Sequence, residues 1–251
     1  MKIILSPAKR LNEKLDEISY KSTVSDFLEQ SEQLIKILKK KTKTDISELM
    51  KLSSSLSELN YSRFQVWKKE EIDQKGKPCI FMFEGDAYKG LNVKQFSEEE
   101  IYRLNNTLFI LSGLYGVLRP LDKILPYRLE MGTKLENKAG KNLYEFWKKD
   151  LTDYMNKTLK GEVLINLASK EYSSVIDFKN LELPIVQIDF LQEKEGKYKN
   201  IAIFSKRARG LMTAFIVKNN IKVVEELKAF DSEKYYYNNE LSKENHLVFT
   251  R

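Results

Sequence analysis

Four apolar runs in this chain each hand over to a hydroxyl and then to a cation. Ile3-Ile-Leu5 leads into Ser6-Pro-Ala-Lys9-Arg10, and Phe109-Ile-Leu111 into Ser112 with Arg119 beyond. Ile165-Asn-Leu167 leads into Ala168-Ser169-Lys170, and Ile201-Ala-Ile-Phe204 into Ser205-Lys206-Arg207-Ala208-Arg209. A hydroxyl donates a hydrogen bond and Lys or Arg adds charge, a pairing suited to phosphate or carboxylate oxygens. If the four runs are strands of a mostly parallel sheet, their carboxyl ends share one edge, where open α/β sheets place ligands. Ser6, Lys9, Ser112, Arg119, Ser169, Lys170, Ser205, Lys206 and Arg209 are therefore expected to line one concavity built for an anion. One such junction would be only an N-cap serine beside a surface lysine, whereas four argue for a shared cleft.

A second concentration of chemistry is the loop SGLYGVLRPLDKILPYRLEMG, Ser112–Gly132. Gly113 and Gly116 permit positive φ or close backbone approach, while Pro120 and Pro126 stiffen the rest of the loop. Arg119 and Arg128 can fork onto phosphate, and Tyr115 and Tyr127 offer ring faces to bases. Gly113-Leu-Tyr-Gly116 has the G-x-x-G form with which KH modules clamp a nucleic-acid backbone. On this reading Arg128 folds over the cleft. The alternative is a rigid loop whose arginines pair internally with Asp122 and Glu130.

What is missing narrows the chemistry. The sequence has no G-x-G-x-x-G, Walker loop or C-x-x-C, and His246 is its one histidine. A Ser-His-Asp triad or a His-ligated metal is thereby disfavoured, and no cofactor or metal is expected. Cys79 lies in an apolar run and reads as a small buried hydrophobe. One cysteine excludes an internal disulfide and fits a reducing cytosol. Any catalysis would rest on Lys, Tyr, Ser or carboxylates, with Lys9, Ser169 or Lys206 as base or nucleophile.

The elements that must position these groups come from periodicity. β-rich apolar runs occur at Ile3–Leu5, Cys79–Phe83, Leu108–Leu111, Val163–Leu167, Ile185–Phe190, Ile201–Phe204 and Leu247–Phe249. Phe27, Leu28, Leu34, Ile35 and Leu38 form one helical stripe, and Leu143–Leu159 and Gly210–Asn219 also read as helices. Asp45-Ile-Ser-Glu48 and Ser97-Glu-Glu-Glu100 have capping-box spacing, and Lys39-Lys-Lys41 suits a helix C-terminus. Strands alternating with helices predict an α/β fold: one domain over residues 1–251, with a central mixed sheet flanked by helices and a basic cleft at the strand C-terminal ends.

The 251 residues carry 43 Lys+Arg against 36 Asp+Glu, a formal charge of +7, which suits polyanionic partners. No apolar stretch approaches the roughly 20 residues of a membrane span. A cytoplasmic protein without a membrane partner is expected.

The motifs ILSPAK, FEGDAYKGL (Phe83–Leu91), LSGLYGVLRPLDKILPYRLEMG, LINLASKEYS, KRARGLM and the closing FTR resemble the YaaA family from end to end. The resemblance implies a single mixed α/β domain with a positive cleft, DNA binding, and a cytoplasmic role in limiting damage by peroxide and free iron. It also implies a helix-hairpin-helix-type element, for which the Gly113–Gly116 turn is the candidate. Three functions stand as expectations. The first is duplex DNA binding with little sequence preference, with Lys9, Arg10, Arg119, Arg128, Lys170, Lys206, Arg207 and Arg209 on phosphates. The second is an enzyme acting on a small phosphorylated or carboxylated ligand, favoured by the focus of acids (Glu84, Asp86, Glu130, Glu171) on the same strand ends. The third is a scaffold without chemistry.

Overall fold

The computed structural model describes residues 1–14 and 20–251. Its main sheet is built from Lys2–Leu5 (β1), Leu108–Ser112 (β2), Gly116–Leu118 (β3), Leu164–Leu167 (β4), Ile185–Lys194 (β5), Lys197–Lys199 (β6), Tyr236–Tyr237 (β7) and His246–Thr250 (β8). The order is β7-β8-β5-β4-β1-β2-β3, with β6 pairing with β5. The five strands β2, β1, β4, β5 and β8 run parallel to their neighbours. Antiparallel pairs at the margins make the sheet mixed. Parallel strands covered on both faces should be apolar throughout, and β2 is buried at every position and β4 likewise. The fold is α/β as expected, with helices on the sheet and its buried side chains in one continuous cluster.

The flanking helices include Leu28–Leu38 (α1), Asp86–Leu91 (α2), Glu98–Thr107 (α3), Leu143–Thr158 (α4), Lys170–Ser173 (α5) and Ala202–Lys218 (α6). Leu34, Ile35 and Leu38 of α1 are buried, and Lys39 caps its C-terminus. Ser97 and Glu100 close the expected capping box at the start of α3. The other expected box is displaced by three residues. Thr42 is the cap of helix Lys43–Met50, accepting from Asp45 N at 3.1 Å, while the Asp45 carboxylate accepts from Thr42 N at 2.8 Å. Asp45 is thus the box's acidic member and not its cap.

Two of the seven apolar runs are not strands. Cys79–Met82 forms one helical turn, buried against the loop at Arg119–Pro120, where the Cys79 thiol donates to the Arg119 carbonyl at 3.2 Å. Ile201–Phe204 enters α6, because Ser205, Ala208, Met212, Thr213 and Ile216 continue it at helical spacing toward the core. Four apolar residues fit either period, and the residues beyond them decide.

The crossing of α2 and α6 is unusually close. A Cβ at Gly210 would fall inside the Ala87 carbonyl oxygen and 2.7 Å from Leu91 N. A Cβ at Gly90 would meet the Arg207 carbonyl oxygen in the same way and lie 3.1 Å from Leu211 N. Both glycines are there because no side chain fits between the backbones. This contact seats the middle of α6 against α2 along its length. Among the described residues no helix is long and apolar enough to cross a membrane.

Candidate functional site

The carboxyl ends of β1 and β4 adjoin, since Leu5 pairs with Leu167. The residues just beyond them are joined by side chains: Ser6 Oγ accepts from Ser169 N at 2.9 Å, and the two hydroxyl oxygens are 3.2 Å apart. Tyr88 of α2 donates its hydroxyl to the Ser6 carbonyl at 3.0 Å, which fixes α2 over this edge. The antiparallel pair Arg10–Leu11 with Phe83–Glu84 closes one side and sets Arg10 Nε 3.0 Å from Glu84. Helix α6 closes another with Lys206 and Arg209, one turn apart on one face.

These segments enclose a cleft of about 350 Å³ lined by Ser6, Lys9, Arg10, Glu84, Asp86, Tyr88, Ser169, Glu171, Tyr172, Lys206 and Arg209, with apolar walls from Leu5, Pro7, Ala87 and Leu167. Four cations and three carboxylates therefore share it. Lys9 Nζ lies 3.2 Å from Glu130 Oε1, and Arg128 Nε reaches the same oxygen at 3.0 Å. Glu171 accepts from Gly132 N at 3.3 Å. Burial pushes the Tyr88 and Tyr172 phenols well above the ordinary tyrosine value, so both stay neutral and protonated. Arg209 is held below the ordinary arginine value by loss of solvent, partly offset by Asp189. It remains a cation at any physiological pH.

Of the nine expected strand-end residues, Ser6, Lys9, Ser169, Lys206 and Arg209 reach this cleft. The other four do not. Ser112 ends β2 at the same edge, but it is fully buried and 2.7 Å from the Tyr127 hydroxyl. Arg119 lies within 3.5 Å of Asp122 and 3.9 Å of Asp26. Ser205 lies on the buried face of α6, and Lys170 opens the short α5 without lining the cleft. The fourth junction is not a strand end at all: Lys206 and Arg209 arrive on a helix, and Arg207 turns aside to Glu233 at 2.5 Å.

The Gly113–Gly116 loop holds core, not ligand. It is the turn between β2 and β3, so it is no helix-hairpin-helix and no nucleic-acid clamp. Gly116 has φ of +68°, and a Cβ there would sit 2.8 Å from the Trp147 ring. Trp147 Nε1 donates to the Gly113 carbonyl at 2.9 Å. Tyr115 is 0 % exposed and Tyr127 5 %, so neither can stack on a base. Tyr115 accepts from Trp67 Nε1 at 2.9 Å, and its ring meets Tyr127 edge-on at 5.2 Å. Arg119 and Arg128 pair with Asp122 and Glu130, the internal pairing that the sequence also allowed. Arg128 consequently reaches the cleft only through Glu130.

Tyr88, Tyr172 and the Gly90–Gly210 crossing were not legible as site elements. The available signal was a lone glycine inside each of two helical patterns, DAYKGL and RARGLM, which marks close backbone approach. Among the described residues there is no cluster of His, Cys, Asp and Glu able to hold a metal ion.

Comparison with known proteins adds the lineage. Residues 1–241 match the family described as Peroxide stress protein YaaA. A UPF0246 protein of Flavobacterium johnsoniae is 44% identical over 252 residues, covering 100% of both chains. A UPF0246 protein of Legionella pneumophila (strain Corby) is 46% identical over 255 residues, 100% of this chain and 99% of its own. One from Shewanella oneidensis is 44% identical over 254 residues, again 100% of this chain and 99% of its own.

Proposed function

The chain belongs to the peroxide stress protein YaaA family, and we propose that it acts in peroxide stress by binding duplex DNA at the mouth of the cleft, with little sequence preference. The observation that carries the reading is the convergence of Lys9, Arg10 and Lys206, from two remote segments, on one opening. Lys9 and Arg10 have ion-pair partners, but their side chains are 61 % and 84 % exposed. Such pairs are worth little in water, so each cation can exchange its carboxylate for a phosphate. The formal charge of +7 adds a long-range attraction for a polyanion. On this reading the three cations contact the backbone of the duplex. Backbone contacts position a duplex and carry no sequence information. Binding of a closed circular duplex, titrated at rising salt, tests the proposal. Affinity falling steeply with salt and alike for unrelated sequences is expected, and a flat salt response contradicts it.

A further inference from the structure

The floor of the cleft is built differently from its mouth. Arg209 Nε is closed off from solvent and has no acceptor, and among the described residues no carboxylate lies within 4.0 Å of its guanidinium. Arg63 and Arg119 also leave Nε unpaired, but each gives a terminal nitrogen to a carboxylate, Glu13 and Asp122 respectively. Asp189, whose field reaches Arg209, spends its oxygen on His246 at 2.9 Å. Arg209 is only partly buried, so its terminal nitrogens, which hold no carboxylate, can meet an anion that enters the cleft. Ser6 and Ser169 line the same cleft. Ser6 donates to Ser169 Oγ, which leaves the Ser169 proton unspent.

The remaining groups narrow what the anion is attached to. Asp86 and Glu171 also face the cleft, so a bare anion would be repelled by them as it met Arg209. A ligand that carries hydroxyl or amino donors away from its anionic end satisfies both sets. The neutral rings of Tyr88 and Tyr172, with Leu5 and Pro7, supply apolar wall between them. The volume of about 350 Å³ lies at the small end of ligand pockets, which begin near ~300 Å³, so it takes one nucleotide-sized molecule.

We propose that the cleft floor binds the terminal phosphomonoester of a nucleotide, with Arg209 and the Ser169 hydroxyl on the phosphate and Asp86 and Glu171 accepting hydrogen bonds from the sugar or base. A terminal phosphate suits this floor better than an internal diester, because it presents three free oxygens and approaches two charges at neutral pH. The inference rests on the reading of the mouth as a phosphate-binding surface. Two sources share this chemistry: a free mononucleotide and the phosphorylated end of a broken DNA strand. The second would join the floor to the mouth, since the backbone behind the terminal nucleotide leaves the cleft past Lys9 and Arg10.

The test compares closed circular duplex, linear duplex with phosphorylated or dephosphorylated ends, deoxyadenosine monophosphate, deoxyadenosine and inorganic phosphate, each with the full chain. The expected result is a preference of about tenfold or more for phosphorylated over dephosphorylated ends, and for the nucleotide over both the nucleoside and inorganic phosphate. Arg209→Gln should bring the end preference close to one, and Ser169→Ala should reduce it. The wild-type comparison needs no variant if either substitution unfolds the chain. Preference for the mononucleotide with none for phosphorylated ends supports the floor and assigns it to free nucleotides. Equal binding of nucleoside and nucleotide, or of nucleotide and inorganic phosphate, overturns the proposal. Circular duplex bound without any terminal-phosphate preference overturns the floor and keeps the mouth; terminal-phosphate preference without circular binding does the reverse.

Discussion

Gly210→Ala is the substitution that most sharply challenges the placement of Arg209. The added methyl would coincide with the Ala87 carbonyl oxygen and approach Leu91 N and the Ala87 carbonyl carbon to 2.7 Å, where ordinary contact begins at 3.4 Å. All three neighbours are backbone of α2, so relief requires α2 and α6 to move apart. Overpacking of this kind costs about 1–3 kcal/mol, and rigid backbone neighbours place it toward the upper end. Alanine returns roughly 1 kcal/mol through its better helix propensity. The net loss is about 2 kcal/mol, and for a chain of this size the melting temperature should fall by about 4–8 °C. Calorimetry on the variant measures it, with Gly85→Ala as control. Gly85 is extended, and its Cβ would make an ordinary 3.4 Å contact with Ala8, so its melting temperature should hardly change. A Gly210→Ala protein as stable as the parent would mean that the crossing has room and does not fix where Lys206 and Arg209 stand.

Gly116→Ala combines a φ of +68° with a Trp147 ring 2.8 Å from the new Cβ, so thermal melting should show a loss of at least ~2 kcal/mol. Unchanged melting would show that the β2–β3 turn can relax. Tyr115→Phe removes the acceptor of the buried Trp67 N–H and should cost about 1–3 kcal/mol in a denaturant titration; a neutral result would mean that water reaches the indole. Folding raises the phenols of Tyr88, Tyr115, Tyr127 and Tyr172, and that of Tyr154 to about 12, above the ordinary value of 10.0. The unfolded chain therefore releases these protons first. Stability is insensitive to them below pH 10 and falls as pH rises from there. Tyrosinate absorbance from these five should develop together with loss of circular dichroism. A single phase preceding unfolding would contradict their burial.

How much of the molecule is legible in its sequence depends on whether an element is decided locally. The strand ends at Ser6 and Ser169 were legible because each lies just beyond a buried aliphatic run, and the parallel sheet then brought them together. Helix α1 was legible for the same local reason, its apolar stripe. Ile201–Phe204 was not, since its four residues fit a strand until Ala208, Met212 and Ile216 are counted as one buried face. The Ser112–Gly132 loop misled through composition. Glycines, prolines and tyrosines side by side resemble an exposed binding loop, but Trp67 and Trp147, distant in sequence, cover it. The missing partner of Arg209 is a property of the assembled cleft and has no sequence signature.

If cations at one cleft mouth hold DNA phosphates, their removal must change how binding responds to salt. The decisive quantity is the slope of log affinity against log salt for closed circular duplex, compared between the parent chain and Lys9→Gln, Arg10→Gln, Lys206→Gln combined. Each lost phosphate contact should lower the magnitude of the slope by about 0.9, so three should lower it by roughly 2.7. All three side chains are exposed at the cleft mouth, so the melting temperature should stay near that of the parent. A variant that folds normally and keeps the parent's slope would contradict DNA binding at this mouth and place DNA elsewhere on the molecule.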